Sequence, residues 1–218
     1  MKDMSENTNK NRSLRSKALM GIGGILILLS AVLLFYNARV DDNVEKNTNT
    51  ILERIEKSQV WQDREMLSGN VSGPSGEIKN VIEIDGYYYV GEIEIPSISL
   101  KLPIMEEYKY ENLEIAPCVF AGQPGQPGFV IAGHNYRRHF QPVKELPDGT
   151  KIIFHVADGR ELVYEVSTLE TIGPEEVEKM ISDEWDMTLF TCTYTGKQRA
   201  ALRCSLISED SVYGEVYQ

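Results

Sequence analysis

Hydrophobic and polar positions change period twice along this chain, and each change marks a different kind of element. Residues 18–36 run uncharged for 19 residues, mostly Leu, Ile, Val, Ala and Gly, close to the roughly 20 that a helix needs to span a bilayer. Asp41 to Glu65 is polar and charged, with Val44, Ile51, Leu52 and Ile55 at near-helical spacing. That spacing predicts an amphipathic helix that spaces the following domain from the membrane or lies on it, with a solvated stalk as the alternative for so narrow a stripe. Ser68 to Gly76 is dense in turn formers and reads as a linker, so the domain proper is expected to begin near residue 78.

From Tyr87 onward the period becomes that of strands. Gly91–Pro96 and Ile98–Ile104 alternate apolar with polar, and Pro96 and Pro103 argue for strand ends or sheet edges. Phe129–Ala132 is a short, continuously apolar buried strand. Phe140, Val143 and Leu146 suggest a helical turn interrupted by Pro142. Lys151–Ala157 and Arg160–Ser167 flank Asp158-Gly159, a tight-hairpin dipeptide. Pro174, Glu175 and Glu176 open a short helix with Val177, Met180 and Ile181 on one face. Thr188–Cys192 and Arg199–Ile207 supply the last strands. Many short strands with few helices predict an all-β barrel or sandwich over residues 78–218.

Charge adds direction to this outline. Lys2, Lys10, Arg12, Arg15 and Lys17 precede the apolar run, opposed by Asp3 and Glu6. Residues 1–17 therefore read as a cytoplasmic basic tail, 18–36 as a single-pass anchor, 37–77 as an extracellular helical spacer and linker, and 78–218 as an extracellular domain. A cleaved signal peptide shares these features, but the run is longer than the usual signal core and Asn37-Ala38-Arg39 is a poor cleavage site. Beyond residue 40 there are 16 basic against 31 acidic residues, a net of −15, which disfavours binding to nucleic acid or an anionic membrane face.

Three cysteines, Cys118, Cys192 and Cys204, are too few for a disulfide scaffold, and an odd number leaves one unpaired unless it joins another molecule. Cys192 closes a strand beside a loop, where a thiol meets solvent; its bland reading is a buried structural thiol. Cys204 is in phase with Ala200, Leu202 and Leu206 and reads as core. Cys118 follows Pro117 in an expected loop, with a disulfide to Cys204 conceivable. Among the histidines, His134 leaves the buried strand Phe129–Ala132 directly, His155 alternates within a strand, and His139 is a weaker rival for His134. No cysteine or histidine pair has metal-ligand spacing, no carboxylate cluster suggests calcium, and no cofactor is implied. One thiol, one imidazole and one guanidinium converging at a sheet rim is the composition of a cysteine transferase or protease. If Thr193–Gln198 closes an antiparallel hairpin, Cys192 lies opposite Arg199. Arg203, the alternative to Arg199, then lies opposite Thr188, about 13 Å along at roughly 3.3 Å per residue.

Thr188-Leu-Phe-Thr-Cys192 resembles the TLxTC motif of sortases, transpeptidases of Gram-positive cell surfaces. Ala132-Gly-His134 is similar to their histidine segment, Arg199 with its apolar strand to their arginine, and Gly91–Pro96 with Leu102-Pro-Ile104 to their opening strands. The segments occur in the family's order over residues 87–207. The resemblance implies a closed β-barrel of about eight strands with short helices, and a catalytic trio of His134, Cys192 and Arg199. It also implies cleavage of a Thr-Gly type bond in the sorting motif of a secreted protein, a thioester on Cys192, and transfer to an amine of the cell-wall precursor or a pilin subunit. Thr191 and Asn135 are the expected substrate-binding neighbours. Thr191–Tyr194 and the ending after Arg199 resemble class B, whereas Gly133–Phe140 with its short following segment is similar to class D. A hydrolytic cysteine peptidase, or an anchored interaction module without enzymatic activity, are the readings from other classes.

Overall fold

The computed structural model describes residues 3–58 and 81–211. The linker at 68–76, the domain start near 78 and the end of the spacer beyond Ser58 lie outside the described residues. An α-helix spans Asp3–Glu56, and the chain forms two compact units, Met1–Asn43 and Val44–Gln218. In the first, Leu19–Tyr36 is long and apolar enough to cross a membrane, and none of it is buried. In the second, Thr48, Leu52 and Ile55 of the helix are buried, Ile55 completely. The spacing i, i+4, i+7 puts these three on one stripe, so this part of the spacer lies on the domain. Glu45 pairs with Arg138 at 3.0 Å and Glu56 with Lys101 at 3.3 Å.

Among the described residues nine strands follow: β1 Ile82–Ile84, β2 Tyr87–Ile95, β3 Leu100–Met105, β4 Cys118–Ala121, β5 Phe129–Ala132, β6 Lys151–Val156, β7 Arg160–Ile172, β8 Met187–Cys192 and β9 Arg199–Ser211. Their order is β1-β2-β3-β4-β5-β8-β9-β7-β6, and β6 pairs back onto β2. Strands β2 to β9 therefore form a closed barrel of eight, with β1 added as a hairpin on β2. Closure removes the open edges that an extended sheet would expose.

Strand alternation divides the apolar residues between two cores. The barrel interior holds Ile93, Leu102, Phe129, Ile131, Phe154, Leu162, Leu189 and Leu202, with Phe140 and Val143 sealing it from a loop. A second cluster lies on the outer face of β5, β8 and β9, where Val130, Ala132, Phe190 and Ala201 meet Ile55, Tyr89, Leu113 and Met180. Burying both faces of β5 is why its sequence is continuously apolar.

Several local expectations change. Pro142 opens the 3₁₀ turn Pro142–Glu145 instead of interrupting one, because proline's missing N–H costs nothing at a first helical position. Ile98 ends a 3₁₀ turn, Pro96–Ile98, and Ser99 takes a left-handed conformation before β3 begins. The helix expected from Pro174 spans only Val177–Met180; Met180 is buried, while Val177 and Ile181 are exposed. Cys118 lies in β4, not a loop, and is fully buried. All three cysteines are free thiols, so no Cys118–Cys204 disulfide exists: the two occupy opposite cores.

Candidate active site

Three adjacent strands build the site. β5 and β8 run parallel with Ala132 beside Phe190, and one more backbone bond, Gly133 N–H to Phe190 O at 3.0 Å, extends the ladder. Continuing that register by two residues sets His134 level with Cys192, one strand spacing of about 4.8 Å away. β8 and β9 form the antiparallel hairpin in which Cys192 faces Arg199 and Thr188 faces Arg203. Alternation places Val130, Ala132 and His134, then Phe190 and Cys192, then Arg199 and Ala201, on the same outer face. Backbone register and alternation thus bring positions 134, 192 and 199 to one end of the ladder and set them toward one face.

Each side chain has a distinct environment. Cys192 is partly exposed, whereas Cys118 and Cys204 are buried completely. Burial pushes the Cys118 thiol up to about 12 and the Cys204 thiol higher still. His134 is half-buried between Tyr110, edge-on at 5.8 Å, and Tyr136, tilted at 4.8 Å. Its Nε2 lies 3.6 Å from Glu114 Oε1, just beyond hydrogen-bond length. Desolvation holds the His134 imidazole below its ordinary range, and Glu114 opposes that shift. His139 is fully buried, and burial with the charge of His134 lowers it to about 4. His155 belongs to β6, between Glu94 at 3.5 Å and Glu161 at 3.3 Å, on strands away from Cys192.

Gly133 is required by space. A Cβ there would lie 2.4 Å from the Phe140 ring, so only hydrogen lets that ring seat in the core beneath the histidine loop. The loop is closed by Phe140 N–H bonding to His134 O at 3.1 Å.

The two arginines differ. Arg199 is half-buried and donates from Nη1 only to Gly196 O and Gln198 O of its own hairpin, each at 3.3 Å. Arg203 is 1% exposed. It bonds Glu170 at 3.0 Å, Thr188 Oγ1 at 2.9 Å, Met180 O at 3.1 Å and Lys179 O at 2.7 Å.

A family model, the sortase domain, matches residues 93–207, just over half of the chain. The chain belongs to the sortase family. Sortase A of Bacillus anthracis is 30% identical over 123 residues, which cover 53% of this chain and 57% of that protein. The chain thus matches little more than half the length of this curated relative. Among solved structures, sortase C of Clostridium perfringens SM101 superposes with a TM-score of 0.50 at 25% identity, covering 78% of this chain and 90% of that one. Streptococcus pneumoniae sortase C shares the fold at a TM-score of 0.54 and 22% identity, covering 74% and 96%.

Within this sortase fold, Asn135 stands at the rim, where its Oδ1 accepts from Lys144 Nζ at 2.5 Å. Thr191 is 2% exposed, and alternation turns it toward the barrel, away from Cys192. Sequence reasoning missed Glu114, Tyr110 and Lys144 at the site. Tyr110 and Glu114 reach it from the short helix Tyr110–Leu113 and its C-terminal cap, and Lys144 from the turn Pro142–Glu145, with nothing in their own neighbourhoods to mark them. Tyr136, two residues from His134, was the one accessible by proximity. Among the described residues no cluster of histidine, cysteine or carboxylate side chains could hold a metal ion.

Proposed function

We propose that this sortase is a membrane-anchored cysteine transpeptidase with Cys192 as nucleophile, His134 as general acid and base, and Arg199 as oxyanion partner. The observation that carries the reading is the register that pairs Cys192 with Arg199 across β8 and β9 and Ala132 with Phe190 across β5 and β8, with His134 two residues past the end of β5. Cys192 Sγ, as thiolate, attacks the carbonyl carbon of a Thr-Gly type bond in a sorting motif. The Arg199 guanidinium donates to the oxyanion that forms. As the C–N bond breaks, the His134 imidazolium gives its proton to the leaving amine, and a thioester remains. An acceptor amine then attacks the thioester, returns a proton to His134 and releases the Cys192 thiolate. Asn135 is an accessible substrate contact, whereas Thr191 is turned inward and paired with Ala200 in the ladder. The acceptor is an amine of the cell-wall precursor or a pilin lysine.

The half-buried Arg199 guanidinium fits this chemistry because it has no carboxylate partner among the described contacts to compete with an oxyanion. The test is mass spectrometry of residues 44–218, a unit compact by itself, after incubation with sorting-motif peptides with and without an added amine. An acyl adduct on Cys192 and an amine-dependent ligation product are expected. Free acid at the same rate in both would make the protein a hydrolase, and no adduct would remove the thioester. The anchor at Leu19–Tyr36 would hold the domain outside the cell; protease added to wall-stripped cells should then digest the domain and spare the basic tail.

A further inference from the structure

The parallel ladder that aligns His134 with Cys192 stops at the bond from Gly133 to Phe190. Beyond it the two site loops are each closed on themselves. In the β8–β9 loop, Thr193 N–H bonds Gln198 O at 2.9 Å, and Gly196 N–H bonds Thr193 O at 2.9 Å. In the histidine loop, His139 N–H and Gln141 N–H both bond Tyr136 O, at 3.0 and 3.1 Å. Among the described side-chain bonds and ring contacts, one residue reaches both loops. Lys144 Nζ donates to Asn135 Oδ1 at 2.5 Å and sits 3.7 Å from the centre of the Tyr194 ring.

Asn135 follows His134 directly, and Tyr194 is two residues past Cys192. Lys144 itself rises from the turn Pro142–Glu145, whose base is fixed in the barrel core by Phe140 and Val143. A single ammonium on a buried footing therefore fastens the imidazole loop to the thiol loop. Tyr194 is 72% exposed, and the Lys144 ammonium over its ring is the ring contact described for it.

We propose that Lys144 is a positioning residue that latches the Asn135 and Tyr194 loops together and so fixes the separation of His134 from Cys192. The proposal rests on the reading of those two residues as a reacting pair. An error of about 1 Å in such a pair can cost up to about a hundredfold in rate. The charge over the aromatic face is the essential feature, and arginine can supply it where methionine cannot.

Four variants, Lys144→Met, Lys144→Arg, Tyr194→Leu and the Lys144→Met/Tyr194→Leu double, are compared with wild type and His134→Ala by two readouts. The first is the rate of Cys192 alkylation by iodoacetamide at pH 7, which needs no substrate. The second is kcat and KM for a peptide carrying a Thr-Gly bond, with circular dichroism to establish folding. Alkylation is expected to slow in His134→Ala and to slow part of the way in Lys144→Met. Turnover of Lys144→Met should fall about tenfold or more in kcat with little change in KM. Lys144→Arg should recover most of the loss, and the double variant should be no worse than the poorer single one. Wild-type alkylation in folded Lys144→Met, losses confined to KM, or multiplicative losses in the double variant would each overturn the latch. Wild-type alkylation in His134→Ala would instead remove the reacting pair, and the latch with it.

Discussion

Arg199 and Arg203 stand four residues apart on one face of β9, both opposite residues of β8, yet they belong to different kinds of place. Arg203 is enclosed, and its bonds to Glu170, Thr188, Met180 and Lys179 tie β7, β8 and the short helix Val177–Met180 to β9. Arg199 lies at the open end of the ladder and holds only two long bonds to its own hairpin. An enclosed guanidinium with four of its five donors committed stabilises a fold. One with donors to spare can receive a charge that forms during a reaction. The histidines repeat the contrast. His139 is sealed behind Tyr136, at 5.6 Å between rings, whereas His134 faces Glu114 and the level of Cys192.

The comparison breaks first at its buried member. Arg203→Met should destabilise the domain by about 3–5 kcal/mol, because it strips the donor from several buried acceptors at about 1–3 kcal/mol each. Urea unfolding measures this, and a loss below 1 kcal/mol would reassign Arg203 to the site. Arg199→Lys keeps charge but loses the planar fork, and should lower peptide turnover about 10²–10³-fold with unfolding unchanged. A larger turnover loss in folded Arg203→Lys would reverse the two roles.

The histidine contrast predicts a pH effect. His139 is held neutral in the fold down to about 4, while in the unfolded chain it takes a proton near 6.5. Its contribution is therefore complete above about 6.5 and is lost as the pH falls toward 4, by about 3 kcal/mol. His139→Leu should flatten that part of the stability profile. A difference between wild type and variant that does not change with pH would show that His139 takes up its proton in the fold as it does in the unfolded chain. The smallest effect concerns the loop between the histidines. Gly133→Ala forces a methyl into the Phe140 ring and should cost about 1–3 kcal/mol by overpacking. A substitution without cost would mean that the ring moves freely and does not fix the His134 loop.

Strand alternation and turn chemistry were readable from the sequence because both depend on near neighbours. The Asp158-Gly159 hairpin and the Phe129–Ala132 strand occur where the pattern puts them, and the Cys192–Arg199 pairing follows from a six-residue loop closing a hairpin without a slip. β4 was not readable: Cys118–Ala121 is short and follows a proline, and it is a strand because β3 and β5 flank it. The inward turn of Thr191 follows from alternation once Cys192 is placed outward. The burial of His139 does not, since a loop residue has no period to read.

The sequence by itself determined the period of each segment, the apolar span at residues 18–36, and the motifs around His134, Cys192 and Arg199, since these are properties of residues close along the chain. Tertiary structure alone decided that the spacer lies on the domain through Ile55, that Arg203 is enclosed while Arg199 bonds only its own hairpin, and that Glu114, Tyr110 and Lys144 stand around the site. Those outcomes depend on which distant segments the barrel brings together as it closes, and barrel closure is set by the pairing of β2 with β6, about 60 residues apart in sequence. A local pattern carries no record of such a partner.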